Sequence, residues 1–370
     1  MYRFEAIHEI IPEKKRKELT GLFSHELMGD IALEWSELIR SVVKQNHELV
    51  VFKIFRDKQW IGIAILSIVR KLKMTQWRPI APLFKVFNNL DVGFVEIPLS
   101  NLSGILLQKD ISLQERKSIT VALCGHIRKT INIDVLCIKM NMLNQQETNA
   151  SLCRNMLPLS FYPNTLLKYP YSNFIDYLNN ISRKKYRRCM SDKKTLEKQE
   201  GRIEIVHNIA SIHNEIYDLY TKTSAKAKTK ENYIEMPALI DKDFFAQIDQ
   251  FHTMNPCVAT VIVKEKIIAY SLLLQSGKTL FFKAVGLDYQ LSYQTKAYFN
   301  LFYATLEYAS QQQCDKIDFG MTSYQFKQWL GCDLTPASYL CCTFNPLLSL
   351  IKKPVVFFMD RKIRSSTGVG

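Results

Sequence analysis

The chain has 370 residues, ordinary apolar content and a formal charge of +14. That length is too great for one ordinary core and suits two domains of similar size, and no low-complexity tract stands out. The first residues lack an apolar export core, and the longest apolar runs, such as 60–69, are too short to span a bilayer, so a cytoplasmic protein is expected. Nine cysteines without a CxxC pair and seven histidines without HExxH spacing give free thiols and no metal as the expectation. The positive charge concentrates anionic partners such as phosphorylated cofactors, acidic carrier proteins, tRNA or anionic lipid. A solvated basic surface explains it equally well.

In chain order, apolar residues recur at helical spacing over 13–23 and 31–43. Residues 49–55 and 60–69 read as strands around a turn at 56–59, and 92–97 as a third strand. A helix over 114–129 and a buried strand over 133–140 follow. The segment 141–170, with an Asn/Gln-rich run and then Pro158, Pro163 and Pro170, reads as a junction. Next comes a basic segment over 181–201 with Arg183, Lys184, Lys185, Arg187, Arg188, Lys193, Lys194 and Lys198. A second basic cluster, Lys222, Lys226, Lys228 and Lys230, lies in a Ser/Thr/Ala-rich stretch that reads as a mobile loop.

Residues 257–263 and 267–274 then form a hairpin around 264–266. The run Gln275-Ser276-Gly277-Lys278 signals a second hairpin turn, leading into a strand over 279–285. A helix over 296–311 and a short strand over 317–319 complete the plan. The same order of elements occurs in the first half, so the chain reads as a tandem duplication. The expected divisions are 1–150, 151–345 and an apolar, then basic tail over 346–370 whose tip is disordered.

The most specific stretch is 316–331. A short apolar strand ends at Asp318 and Gly320, Ser323 opens a helical turn with Tyr324, Phe326, Lys327 and Trp329, and Gly331 closes it. Asp318-Phe319-Gly320 also spells a kinase metal motif, but the chain has no HRD loop or Gly-rich strand turn. Gly277-Lys278-Thr279 lacks the first Gly of a P-loop. No G-x-S-x-G elbow occurs.

Three segments carry a resemblance. They are 174–178 with the basic run 182–188, the hairpins over 258–286, and 298–303 with Asp318-Phe319-Gly320, Ser323 to Lys327 and Gly331. On these the chain resembles the GNAT superfamily of N-acyltransferases, in particular the double-GNAT branch of Fem-type and CelD-like enzymes. The resemblance is good over 173–336 and vague before it. It implies an α/β (α+β) chain of two GNAT-like domains, each a mixed, mostly antiparallel sheet flanked by helices. The first domain is expected over 1–150 and the acyltransferase domain over 151–345.

The resemblance further implies that two central strands splay apart and that a pantetheine arm lies along 280–286, against Lys283, Val285 and Gly286. A backbone N–H there would stabilise the oxyanion. The pyrophosphate would rest on a helix beginning near Thr295 and Lys296. Here the chain departs from the family: residues 290–297 contain no glycine, and side chains would crowd a diphosphate. Gln294, Thr295 and Lys296 are then its expected contacts. A carrier-protein thioester or an aminoacyl-tRNA stays open as donor.

Tyr324 stands where the family keeps a general acid for the leaving thiolate; a Tyr packed on the sheet is the structural alternative. Asp318 would accept the amine proton or orient the amine, or it would cap the turn into the next helix. Lys327 would bind an anion or snorkel from its helix. Arg187 and Arg188 are the candidate contacts to an anionic substrate. The stripe Tyr298, Phe302, Tyr303 and Tyr308 reads as core. The expected reaction is acyl transfer from acyl-CoA or an acyl carrier protein to a small amine by direct attack. The alternatives are a Fem-type aminoacyl-tRNA transferase and a non-catalytic module for an anionic partner, with membrane contact through the tail.

Overall fold

The computed structural model describes residues 2–8, 21–23, 28–42, 47–72, 89–100, 102–140, 156–228, 240–350, 353, 356–357 and 361. Residues 13–20 of the expected helix over 13–23, the first part of the junction (141–155), Lys230 and most of the tail lie outside the described residues, as does the side chain of Lys228; residues 21–23 are helical. The chain divides into two compact units, one of 1–164, 234–239 and 334–370, the other of 165–233 and 240–333. The expected divisions at 150 and 345 differ from these.

The first unit contains strand β1 (Tyr2–Ile7), helix α1 (Ala32–Val42), β2 (His47–Arg56), β3 (Gln59–Leu72), β4 (Leu90–Ile97), β5 (Leu102–Ser103), β6 (Ile105–Leu107), helix α2 (Leu113–Thr130), β7 (Val135–Met140) and most of β8 (Met156–Lys168). The turn between β2 and β3 needs a positive φ, and Asp57 supplies it at 55°, a conformation short polar residues tolerate. Ser112 caps α2 by accepting from the Glu115 N–H. The sheet order is β1-β2-β3-β4-β7, followed by β14 (Asp333–Thr343) from the far end of the chain. All its long ladders are antiparallel except β4 with β7, where Val92–Val95 run parallel to Val135–Ile138. The core packs α2 on this sheet through Ile119, Leu123 and Ile127 against Ile54, Leu66, Val95, Leu136 and Ile138.

The second unit contains α3 (Phe174–Asn180), α4 (Arg183–Glu197), β9 (Gly201–Val206), α5 (His213–Lys228), α6 (Lys242–Gln247), β10 (Cys257–Val263), β11 (Lys266–Ser276), β12 (Thr279–Leu287), α7 (Tyr289–Thr295), α8 (Ala297–Gln311), β13 (Lys316–Gly320) and α9 (Tyr324–Leu330). Its sheet order is β13-β12-β11-β10-β9, and Thr165–Lys168 of β8 pair antiparallel with β13. Here too one parallel pair interrupts an antiparallel series, β12 with β13. Helix α8 buries Leu301, Phe302 and Leu306 against Leu280, Phe282, Ile317 and Phe319, and the Phe282 and Phe302 rings stack at 4.7 Å.

Three readings are corrected. The second part of the proline-marked junction is strand β8, because its ladder to β13 starts only at Thr165, beyond Pro158 and Pro163. The loop with Lys222 and Lys226 is helix α5, whose Ile216 and Leu219 are buried. The helix expected over 296–311 is preceded by a separate short helix, α7, and Lys296 between them is left-handed at φ 56°. Strands β1, β9 and β14 had no counterpart in the sequence reading. Of the stripe Tyr298, Phe302, Tyr303 and Tyr308, the last three are buried core as expected, and Tyr298 is partly buried against it with its hydroxyl donating to Ser323 Oγ.

Candidate active site

The parallel ladder of the second unit is short. It pairs Thr279, Leu280 and Phe281 with Lys316, Ile317 and Asp318 and stops there. Strand β12 continues to Leu287. Among the described residues no strand pairs with Phe282–Leu287 on the side facing β13. On the other side, two residues of β12, Lys283 and Ala284, stand opposite Leu272 alone, because Ser271 pairs with Val285 and Leu273 with Phe282. This is a bulge, and it takes one residue out of the β11 ladder. Lys283, Ala284 and Val285 are only half-buried, in a strand otherwise buried end to end. A central strand with an exposed middle is one wall of a gap.

Strand β13 supplies the other wall. Asp318 is fully buried, and its Oδ1 accepts from the Gly320 N–H at 2.7 Å. The turn after it is strained: Gly320, Thr322 and Ser323 all have positive φ, at 67°, 71° and 50°. For Thr, a β-branched residue, this conformation is unusual. Lys327 holds the turn in place. It is 2% exposed, and its Nζ donates to the Phe319, Gly320 and Met321 carbonyls at 2.6, 3.1 and 2.8 Å. Thr165 Oγ1 donates to the Gly320 carbonyl as well, at 2.5 Å. Gly331, left-handed at φ 104°, ends α9.

Lys283, Asp318 and Lys327, expected separately in three roles, therefore belong to one electrostatic group. Burial pushes Lys327 down to about 8, against the pull of Cys332 and Asp318, with Lys283 adding to the drop. Burial also lowers Lys283, and Asp318 partly restores it. Cys332 beside Lys327 is pushed up to about 12, chiefly by burial, so its thiol stays protonated.

The remaining expected residues fall into place unevenly. Tyr324 opens α9, half-buried, directly after the strained turn. Lys327 is not a surface anion contact, since its three N–H groups are spent on carbonyls. Gly286 answers to packing: a Cβ there would meet Tyr270 at 2.2 Å and Leu219 of α5 at 2.7 Å. Thr295 is buried and donates to the Leu291 carbonyl of its own helix. Lys296 places its Nζ 4.6 Å over the exposed ring of Tyr293, and Val285 lines the half-exposed part of β12. Gln294 is exposed on α7. Arg187 is exposed; Arg188 lies over Phe299, Trp329 and Phe326 at 4.9, 5.1 and 5.9 Å. Sequence reasoning missed the clamp function of Lys327, although a lysine in a helix adjoining a Gly-turn was the available signal.

A separate cavity of about 480 Å³ lies between α5, β9 and β10, lined by Arg202, Glu204, Glu215, Lys222 and Thr260 among others. It contains none of the expected site residues. Arg202 there is already paired with Glu204 and Glu265. Among the described residues no cluster of three His, Cys, Asp or Glu is placed to hold a metal, and no helix is long and apolar enough to cross a membrane.

Comparison with protein-family models matches residues 94–329 to the FemAB-like family, described by peptidoglycan biosynthesis and recognition. The chain belongs to the FemAB-like family. A search of the curated proteins finds no match. Among solved structures, FemX is 12% identical, with a TM-score of 0.57 over 94% of this chain and 99% of that one. A tandem GNAT protein from the clavulanic acid biosynthesis pathway is 7% identical, with a TM-score of 0.54 over 94% and 99%. A conserved protein from Bacteroides thetaiotaomicron is 12% identical, with a TM-score of 0.52 over 93% and 100%. At such identities the likeness concerns the fold, and this FemAB-like chain has the double-GNAT fold that its sequence implied.

Proposed function

We propose that this FemAB-like protein is an acyltransferase whose second unit takes an acyl group from a thioester, acyl-CoA or an acyl carrier protein, and passes it to an amine. The observation that carries this reading is the open side of β12 beyond Phe281. An extended donor arm with its own amides suits such an edge, because it adds to it as a strand would. The bulge at Lys283 and Ala284 frees a backbone amide in the same wall. A preorganised N–H facing the thioester carbonyl would hold the charge of the tetrahedral intermediate.

In this scheme the amine attacks the thioester carbon directly, the C–N bond forms and the C–S bond breaks. Cys332, kept protonated by burial, is a poor nucleophile for a covalent route. Tyr324 is assigned the proton for the departing thiolate, and Asp318 the orientation of the amine and the proton that it loses as the amide forms. Lys327 acts through the turn, keeping Tyr324 at the mouth of the gap. Gln294 and Lys296 are assigned the donor's phosphate groups, and Arg187 and Arg188 an anionic part of the acceptor or carrier.

A second reading has its own support. The turn before α8 has Lys296 in a left-handed conformation with its side chain on Tyr293, where a CoA site would need an open, glycine-lined approach. That favours an aminoacyl-tRNA donor, in line with the FemAB-like family. Calorimetric titration with acetyl-CoA and a long-chain acyl-CoA at moderate salt separates the two. Saturable binding supports the thioester reading. Heat from neither, together with aminoacyl-tRNA binding that weakens steeply with salt, moves the assignment to tRNA. Donor binding without turnover of any amine would leave a binding module.

A further inference from the structure

Helix α4 (Arg183–Glu197) buries Cys189, Asp192 and Leu196. The helical period puts Arg183, Tyr186, Arg187, Met190 and Lys194 on the opposite side, at steps of three, one, three and four residues. All five are exposed, with Tyr186 at 39% and Met190 at 36%. The ion pairs of the helix run through Arg188 to Asp192 and Lys193 to Glu307, off this stripe. Glu197 stands at its C-terminal end, beside Lys194 and Lys198. The stripe therefore offers a cation on each of three turns, with two apolar side chains set between them. Helix α3, just before it, adds Ile175, 67% exposed.

Cations alone would serve the phosphates of a nucleic acid. Bases stack on aromatic or guanidinium planes, which gives Tyr186 and the arginines a role there and leaves exposed Met190 and Ile175 without one. Interleaved cations, a Tyr and aliphatic side chains instead match the boundary of an anionic bilayer. There the cations meet headgroup phosphates and the apolar groups enter the acyl region. We propose that the outward stripe of α4 docks the second unit on an anionic lipid surface. It shares Arg187 with the transfer reading above, so vesicle binding is measured without donor or acceptor present.

The test is sedimentation of the full chain with vesicles of phosphatidylcholine alone and of equal parts phosphatidylcholine and phosphatidylglycerol. The wild type is expected to pellet with the anionic vesicles and not with the neutral ones. Arg183→Gln/Arg187→Gln/Lys194→Gln should lower the partition coefficient about 100-fold, at roughly five-fold per cation. Tyr186→Ala/Met190→Ala, with the charge intact, should lower it about 10-fold. A wild type that stays in the supernatant overturns the proposal, as does a charge variant that pellets like the wild type. So does an apolar variant with full vesicle binding combined with a charge variant that loses a single-stranded RNA oligonucleotide, a result that would assign the stripe to nucleic acid.

Discussion

The two parallel strand pairs of this chain have the same connectivity and different ends. In the first unit the ladder of β4 with β7 stops at Val95 and Ile138. The chain then plugs the space with its own β5, where Ser103 and Leu102 pair with Glu96 and Ile97 and pack beside β7. Next to this plug Lys139, Glu96 and Tyr339 are buried together. The Tyr339 hydroxyl donates to Glu96, and the Lys139 ammonium lies 4.2 Å from the Tyr339 ring and 4.6 Å from that of Phe161. In the second unit the ladder of β12 with β13 stops at Phe281 and Asp318, and a half-exposed strand and a clamped, strained turn border the space beyond. The comparison teaches that the two halves share one frame, while the end of the parallel ladder is filled by packing in one half and left unpaired in the other.

If the first unit's cluster is structural, breaking it should cost stability and spare function. Lys139→Met leaves Glu96 buried without its cation, and a loss of about 3–5 kcal/mol is expected in denaturant unfolding. Donor affinity of the folded fraction should stay unchanged. Glu96→Gln/Lys139→Met, which removes both charges, should recover most of that loss. Burial pushes Lys139 down to about 7, Glu96 pulling the other way. An unfolded lysine titrates near 10.4, so between about 7 and 10 the unfolded state binds more protons. The Lys139 contribution to stability therefore rises with pH across that window.

At the site of the second unit, function should be lost and stability spared, while packing positions there still answer in stability. Tyr324→Phe is expected to lower kcat about 100-fold with little change in KM or unfolding midpoint; full turnover would remove Tyr324 from the scheme. Gly286→Ala drives a Cβ into Tyr270 and Leu219 and should cost about 1–3 kcal/mol, seen as a lower melting temperature. The mildest expected effect comes from pH. Lys327, pushed down to about 8 by burial, loses one of its three N–H donors as pH rises through that value. Donor affinity should fall by a few-fold above about pH 8, and Lys327→Met should show weak binding with no such step. A wild-type profile flat across pH 7 to 9 would sever the link between the clamp and the site.

Much of this frame was legible in the sequence, for identifiable reasons. The hairpins of β10, β11 and β12 announce themselves because apolar runs are separated by the polar turns Lys264-Glu265 and Gly277-Lys278, in which Lys264, Glu265 and Gly277 have positive φ. Strand β8 was hidden because its prolines precede the part that pairs with β13, and β14 because its ladder partner, β7, lies about 200 residues away in the chain. Helix α5 was read as a loop on its Ser, Thr and Lys content, although Ile216 and Leu219 already sat three residues apart. Within the site, the residue types around Asp318 pointed to the right turn. That Lys327 would spend its charge on carbonyls depends on Thr322 and Ser323 being left-handed, which spacing alone does not reveal.

The most direct test of the central claim is hydrogen exchange of the full chain with and without a saturating donor, comparing β12 with its plugged counterpart β4. An extended donor on β12 should slow exchange at Phe282–Leu287 and leave Leu90–Ile97 of β4 unchanged. Protection at β4 instead, or at neither strand with donor fully bound, would contradict an open acyl-donor gap in the second unit.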